Sequence, residues 1–94
     1  MYLTALIKSK PGSATELKSL ALDLVTSSRR DEGCEQYHFH QSLQDENQFI
    51  FQERWASEEA LQAHNQQPHL LNFAASVKDL IDGEIVIYKH EMIA

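Results

Sequence analysis

Four side chains in the middle of this chain are suited to proton chemistry beside an aromatic surface: Glu53, Trp55, His64 and His69. Phe49, Phe51, Glu53 and Trp55 recur with period two, so on a strand all four point to one side. A carboxylate among three aromatic rings is costly to keep ionised unless it is paired. Glu53 is therefore expected either to meet a partner, as an ion pair or an N–H contact, or to hold its proton to unusually high pH. The second condition suits proton transfer. Phe51 and Trp55 would then wall the same pocket.

His64 shares a helix face with Ala60 and Leu61. Leu61 must be core, which puts His64 at the core edge. A neutral imidazole there can take a proton from a substrate hydroxyl near pH 7. A plain helix-end histidine bonding a free carbonyl is the alternative. His69 follows Pro68 in the first turn of the next helix, where the helix dipole keeps imidazole neutral. It is expected to be exposed, or else to donate to a ligand oxygen. Phe73 follows at i+4 as core or pocket wall. Tyr37 has the opposite parity to His38 and His40 and belongs either to the pocket or to an interface. His38 and His40 share a face, but two histidines without a nearby carboxylate or cysteine are too few for a metal site, so no metal is expected. Cys34 reads as a small buried residue rather than a reactive thiol.

Positioning these groups requires a particular order of elements. Residues 2–8 alternate as a strand, with Leu3, Ala5 and Ile7 on one face and Tyr2, Thr4 and Leu6 on the other. After the Pro11-Gly12 break, Ser13-x-x-Glu16 predicts a capping box. It opens a helix with Leu17, Leu20, Ala21, Leu24 and Val25 at helical spacing. Arg29 and Arg30 suit its last turn, and Gly33 its exit. Residues 35–43 and 48–55 predict a hairpin around Gln44-Asp45-Glu46-Asn47. Ser57 caps a short helix, and Pro68 fits the first position of another, whose apolar stripe runs through Leu70, Phe73, Ala74, Val77, Leu80 and Ile81. Residues 84–90 form a last strand. The order is β-α-β-β-α-β with the second helix broken. That predicts an α+β, ferredoxin-like fold: a four-stranded antiparallel sheet with helices on one face. Tyr2, Leu6 and Ile50 then leave an apolar patch on the other face, which predicts a homodimer with sheets packed face to face.

The 94 residues suffice for one domain, 1–94, with one modest core. Fourteen acidic and eight basic residues give a net charge of −6, which disfavours nucleic acid and anionic membrane surfaces as partners. No apolar run approaches the ~18 residues that span a bilayer. The N-terminal residues read as a strand rather than a signal peptide. A single cysteine excludes an intrachain disulfide, and a reducing, cytoplasmic setting is expected. The three glycines are dispersed, so neither a phosphate loop nor a dinucleotide fingerprint is present. No cofactor is expected.

The ordered set Glu32-Gly33-Cys34, Tyr37, Phe49, Glu53, Trp55, Ser57, Glu59-Ala60-Leu61, His64 and Pro68-His69 resembles the antibiotic biosynthesis monooxygenase family, from Tyr2 to about Tyr88. The resemblance implies a ferredoxin-like dimer, the dimeric α+β barrel, with one pocket per subunit between sheet and helices. Members oxygenate quinols or polyketide phenols with O₂ and without metal or flavin. Others degrade haem, and one with a similar His-x-x-x-Pro-His segment isomerises a phosphorylated signalling sugar. The haem branch carries an Asn, a Trp and a haem-ligating His where this chain has Ala5, His64 and Ala74, so haem degradation is not expected.

What the resemblance implies is a cofactor-free monooxygenase of a small quinol- or polyphenol-type aromatic. His64 or Glu53 would be the base. Trp55, Phe73, Phe51 and Ala5 would form the substrate slot, and His69 or Tyr37 would orient a substrate oxygen. An acid–base isomerase of a carbonyl compound and a non-catalytic ligand-binding module remain as alternatives.

Overall fold

The computed structural model describes residues 1–94. Strand β1 (Tyr2–Lys8) is followed by α1 (Ala14–Ser28), β2 (Cys34–Gln41), β3 (Gln48–Trp55), α2 (Glu58–Asn65), α3 (Pro68–Val77) and β4 (Val86–His90). The strands form one antiparallel sheet in the order β2-β3-β1-β4, with β1 paired to β3 and to β4. This is the expected α+β plan, with three helices on one face.

The period-two pattern sets which face is buried. Leu3, Ala5 and Ile7 of β1 and Phe49, Phe51, Glu53 and Trp55 of β3 are buried, while the residues between them are half-buried. Leu17, Ala21, Leu24 and Val25 of α1, Leu61 of α2 and Phe73 and Val77 of α3 cover that face. Each large apolar side chain fully buried there stabilises the fold by roughly 1.5–3 kcal/mol.

Three local expectations are corrected. Ser13 sits at the N-cap of α1, but its side chain makes no capping bond. Its backbone is already near-helical (φ −106°, ψ 0°), held by the bond from its own N–H to Lys10 O, so the hydroxyl is not aimed at the first turn. Ser57 is extended (φ −159°, ψ 165°) and does accept from the Ala60 N–H, as capping requires. The third helix stops at Val77, short of Leu80 and Ile81. There the chain is drawn against the end of β1: Lys10 N–H donates to Leu80 O, Ser9 bridges Ile81, and Asp82 N–H donates to Lys8 O. Strand β2 ends at Gln41 because the Ser42 hydroxyl accepts from the N–H groups of Gln44 and Asp45 and closes the turn early.

Candidate active site

The helices stand off the sheet enough to leave a cavity of about 230 Å³ between the four strands and the three helices. Twelve of its fifteen lining residues are hydrophobic. Its polar side chains are Glu53, His64, Asn65 and the Tyr37 phenol, and no Lys or Arg reaches it. A neutral or weakly polar occupant therefore fits, and a phosphate or carboxylate would lack a counter-charge. The volume exceeds the ~150 Å³ cavity known to take a benzene ring and falls below the ~300 Å³ of ordinary ligand pockets. It is scaled to a small ring system.

Glu53 is buried on the strand face that β3's alternation dictates, and the Trp55 indole Nε1–H donates to its Oε1 at 2.9 Å. Both expectations for this carboxyl are met at once. It has an N–H partner, and burial nonetheless pushes its pKa up to about 7, with the indole bond pulling the other way.

His64, in the last turn of α2, is buried, and its Nδ1 lies 2.7 Å from Asp31 Oδ2. The ring is held between Trp55, with centroids 4.5 Å apart, and the edge of Tyr37 at 5.5 Å. Burial pushes its pKa below the ordinary imidazole value, and Asp31 only partly offsets this. A neutral His64 that donates from Nδ1 to a carboxylate leaves Nε2 as the proton acceptor. His64 thus bonds a carboxylate rather than a helix-end carbonyl.

Tyr37 is buried opposite the exposed His38 and His40, as its parity requires, and lines the cavity. Burial, and then the charge of Glu53, raise its phenol far above the ordinary range, so it acts only as a neutral donor. Ala5, Phe51 and Phe73 line the cavity, the two phenyl rings meeting edge-on at 6.1 Å. Cys34 is half-buried and burial raises its thiol pKa, which makes it a poor nucleophile.

Two site expectations change. Trp55 has no exposed surface and does not line the cavity. It backs the site, holding Glu53 and His64, instead of walling a slot. His69 is half-buried and does not line the cavity: its Nε2 lies 2.8 Å from the same Asp31 Oδ2, beside a groove lined by α1 and α3 residues.

Asp31 and Asn65 were not singled out from the sequence. Asp31 lies in the loop after α1, 33 residues from His64 and 38 from His69, and nothing in its local spacing marks it. The turn through Gly33 brings it in. Gly33 has φ +81°, and a Cβ there would come within 2.5 Å of Ala60 Cβ, so only glycine lets the loop lie against α2. Asn65 adjoins His64 and points into the cavity because α2 ends there.

Comparison with known proteins agrees with this architecture. The sequence profile of the family described as "Antibiotic biosynthesis monooxygenase" matches residues 1–76. A Bacillus subtilis protein named "Putative monooxygenase YcnE" is 36% identical over 92 residues, covering 98% of this chain and 97% of its own. The crystal structure of PA3566 from Pseudomonas aeruginosa superimposes with a TM-score of 0.93 at 32% identity, covering 99% of this chain and 93% of that one. A structure described as an antibiotic biosynthesis monooxygenase superimposes with a TM-score of 0.94 at 19% identity, over 99% and 98% of the two chains, which speaks for the fold alone.

Proposed function

Given that this chain belongs to the antibiotic biosynthesis monooxygenase family, we propose that it oxygenates a small, uncharged, electron-rich aromatic of the quinol or polyphenol type, with O₂ as co-substrate. The observation that carries this reading is the pairing of Glu53 and His64 on one apolar, cation-free cavity, with the Glu53 pKa raised and the His64 pKa lowered. Near neutral pH such a pair offers one neutral acid and one neutral base.

In this reading Phe51, Phe73 and Ala5 contact the ring. His64 Nε2 removes a hydroxyl proton, and Asp31 stabilises the imidazolium that results. Glu53, while protonated, and Tyr37 hydrogen-bond the substrate's oxygens. The phenolate gives one electron to O₂, and superoxide recombines with the ring radical at a C–H carbon. The imidazolium returns its proton to the peroxide anion so formed, giving a hydroperoxide. Loss of water then leaves a carbonyl, so one atom of O₂ enters the product and the other leaves as water. The electrons come from the substrate itself, and exclusion of bulk water protects the anion.

Oxygen uptake with a panel of naphthols, reduced naphthoquinones and polyphenols tests this, with heat-denatured protein and His64→Ala as controls. Uptake that requires folded protein and His64 supports it; uptake equal to both controls refutes it. The oppositely shifted pair also favours a second reading, a proton-shuffling isomerase of a neutral carbonyl compound. Turnover unchanged without oxygen would select that. A phosphorylated sugar is disfavoured by the absence of any cation on the cavity.

The same proposal includes a homodimer. Tyr2, Leu6 and Ile50 on the uncovered sheet face lie beside Val86 and Tyr88 of β4, since Leu6 pairs with both Ile50 and Val86 and Thr4 pairs with Tyr88. Two such faces packed together would bury an apolar strip that one chain leaves open. No helix is long and apolar enough to cross a membrane, and with one half-buried thiol a reducing cytoplasmic setting suits the chain.

A further inference from the structure

We propose that Asp31, His64 and His69 form a binding site for a divalent transition-metal ion, with Zn²⁺ the best match to the donors. Two imidazoles and a carboxylate are the donor set of many zinc and non-haem iron sites. Here they converge from three segments: the loop after α1, the last turn of α2 and the first turn of α3. Asp31 Oδ2 is 2.7 Å from His64 Nδ1 and 2.8 Å from His69 Nε2, and the three donor atoms lie within 4.8 Å of one another.

With bonds of ~2.0–2.1 Å, ligand atoms in a tetrahedral shell sit about 3.3 Å apart. The two observed separations need only about half an ångström of opening to admit an ion. Neutral rings need not lose a proton, because each can move its N–H to the opposite nitrogen. Trp55 and Tyr37 already fix the plane of His64. Of the three donor residues, His69 reaches a surface groove, which it lines with Asp23, Ser27 and Asn72. The other close histidine pair, the exposed His38 and His40 of β2, is not part of a three-donor group.

This inference goes beyond the proposed activity and is read without turnover. It also predicts antagonism. An ion on Nδ1 moves the His64 proton to Nε2, which then no longer accepts one, so Zn²⁺ inhibits any reaction using that base.

Chelator-treated protein is titrated with Zn²⁺ by calorimetry and with Co²⁺ by visible absorption. The expected result is one ion per chain and a Co²⁺ band typical of low coordination number. His69→Gln leaves the Asp31–His64 bond intact and should fold, as checked by circular dichroism, yet bind at least tenfold more weakly. Asp31→Ala should do the same, whereas a His38→Ala/His40→Ala double variant should bind as wild type. Absence of stoichiometric binding overturns the proposal. So does binding that survives His69→Gln and Asp31→Ala, or that is lost in the His38/His40 variant.

Discussion

Asp31 and His64, 33 residues apart, meet with Oδ2 and Nδ1 at 2.7 Å, and His69 closes on the same oxygen from the other side at 2.8 Å. One carboxylate oxygen thus fixes two rings. Asp31→Asn keeps the shape but removes the charge and lets an amide N–H face His64, favouring the wrong ring tautomer. The expected result is a fall in kcat of about 10²-fold or more, with a much smaller change in KM. Destabilisation of about 1–3 kcal/mol is also expected, as for any buried polar contact left mismatched. Steady-state kinetics beside denaturant unfolding separate the two effects. An unchanged kcat would remove Asp31 from the mechanism.

The rate should depend on pH as a narrow bell. His64 must be neutral, so activity rises with pH through its pKa, which lies below the ordinary 6.5. Glu53 must be protonated, so activity falls as pH passes about 7. In Glu53→Gln the upper limb should vanish while the lower one remains. In Trp55→Phe the indole bond that lowers the Glu53 pKa is gone, so the upper limb should move to higher pH. A kcat/KM profile across pH 5–9 on the three proteins checks both shifts.

Glu53 should also leave a mark on stability. Its folded pKa of about 7 is raised above the ordinary 4.5. Below 4.5 both folded and unfolded chains hold the proton, and stability is at its full value. Between 4.5 and 7 the unfolded chain ionises first, so stability falls as pH rises, by about 3 kcal/mol in total before levelling off. Gln at 53 can still accept from the indole and has no such dependence. Glu53→Gln is therefore expected to gain on wild type as pH rises from 4.5 to 8. Parallel thermal melts that stay a constant distance apart over that range would contradict the burial argument.

Two glycines with similar backbones should respond differently to alanine. Gly12 (φ +86°) has nothing within 4 Å of an added Cβ, so Gly12→Ala should cost only the left-handed strain of about 1–2 kcal/mol. Gly33 (φ +81°) carries the same strain plus the overlap with Ala60. Gly33→Ala should cost measurably more, and by displacing α2 from the loop it should lower activity as well. Urea unfolding of the pair with matched assays provides the comparison.

Leu6 and Ile50 pair across β1 and β3 on the uncovered sheet face. Placing a charge there, as Leu6→Lys or Ile50→Lys, should convert a dimer into a monomer with little change in the folded chain, because neither side chain is part of the core. Multi-angle light scattering at micromolar concentration reads this directly, and a wild-type monomer would dismiss the dimer.

Local chemistry in the sequence determined the elements and their facing. Alternation along residues 2–8 and 48–55 specifies which side chains enter the core, Ser57 and Pro68 mark two helix starts, and period-two spacing places Glu53 beside Trp55. That Glu53, Phe51, Phe73 and Ala5 face the cavity follows from that pattern, because a side chain's direction is set by the backbone period of its own element, whereas spacing left Tyr37 open between pocket and interface and His64 open between cavity and helix end. Tertiary structure decided what lies between elements. It placed Asp31 against both histidines, took Trp55 out of the cavity wall, and ended α3 at Val77 by pulling Leu80 and Ile81 onto β1. Contacts between residues more than thirty positions apart depend on how a loop turns and how two helices pack. Those are properties of the assembled chain, and residue spacing within any one segment does not encode them.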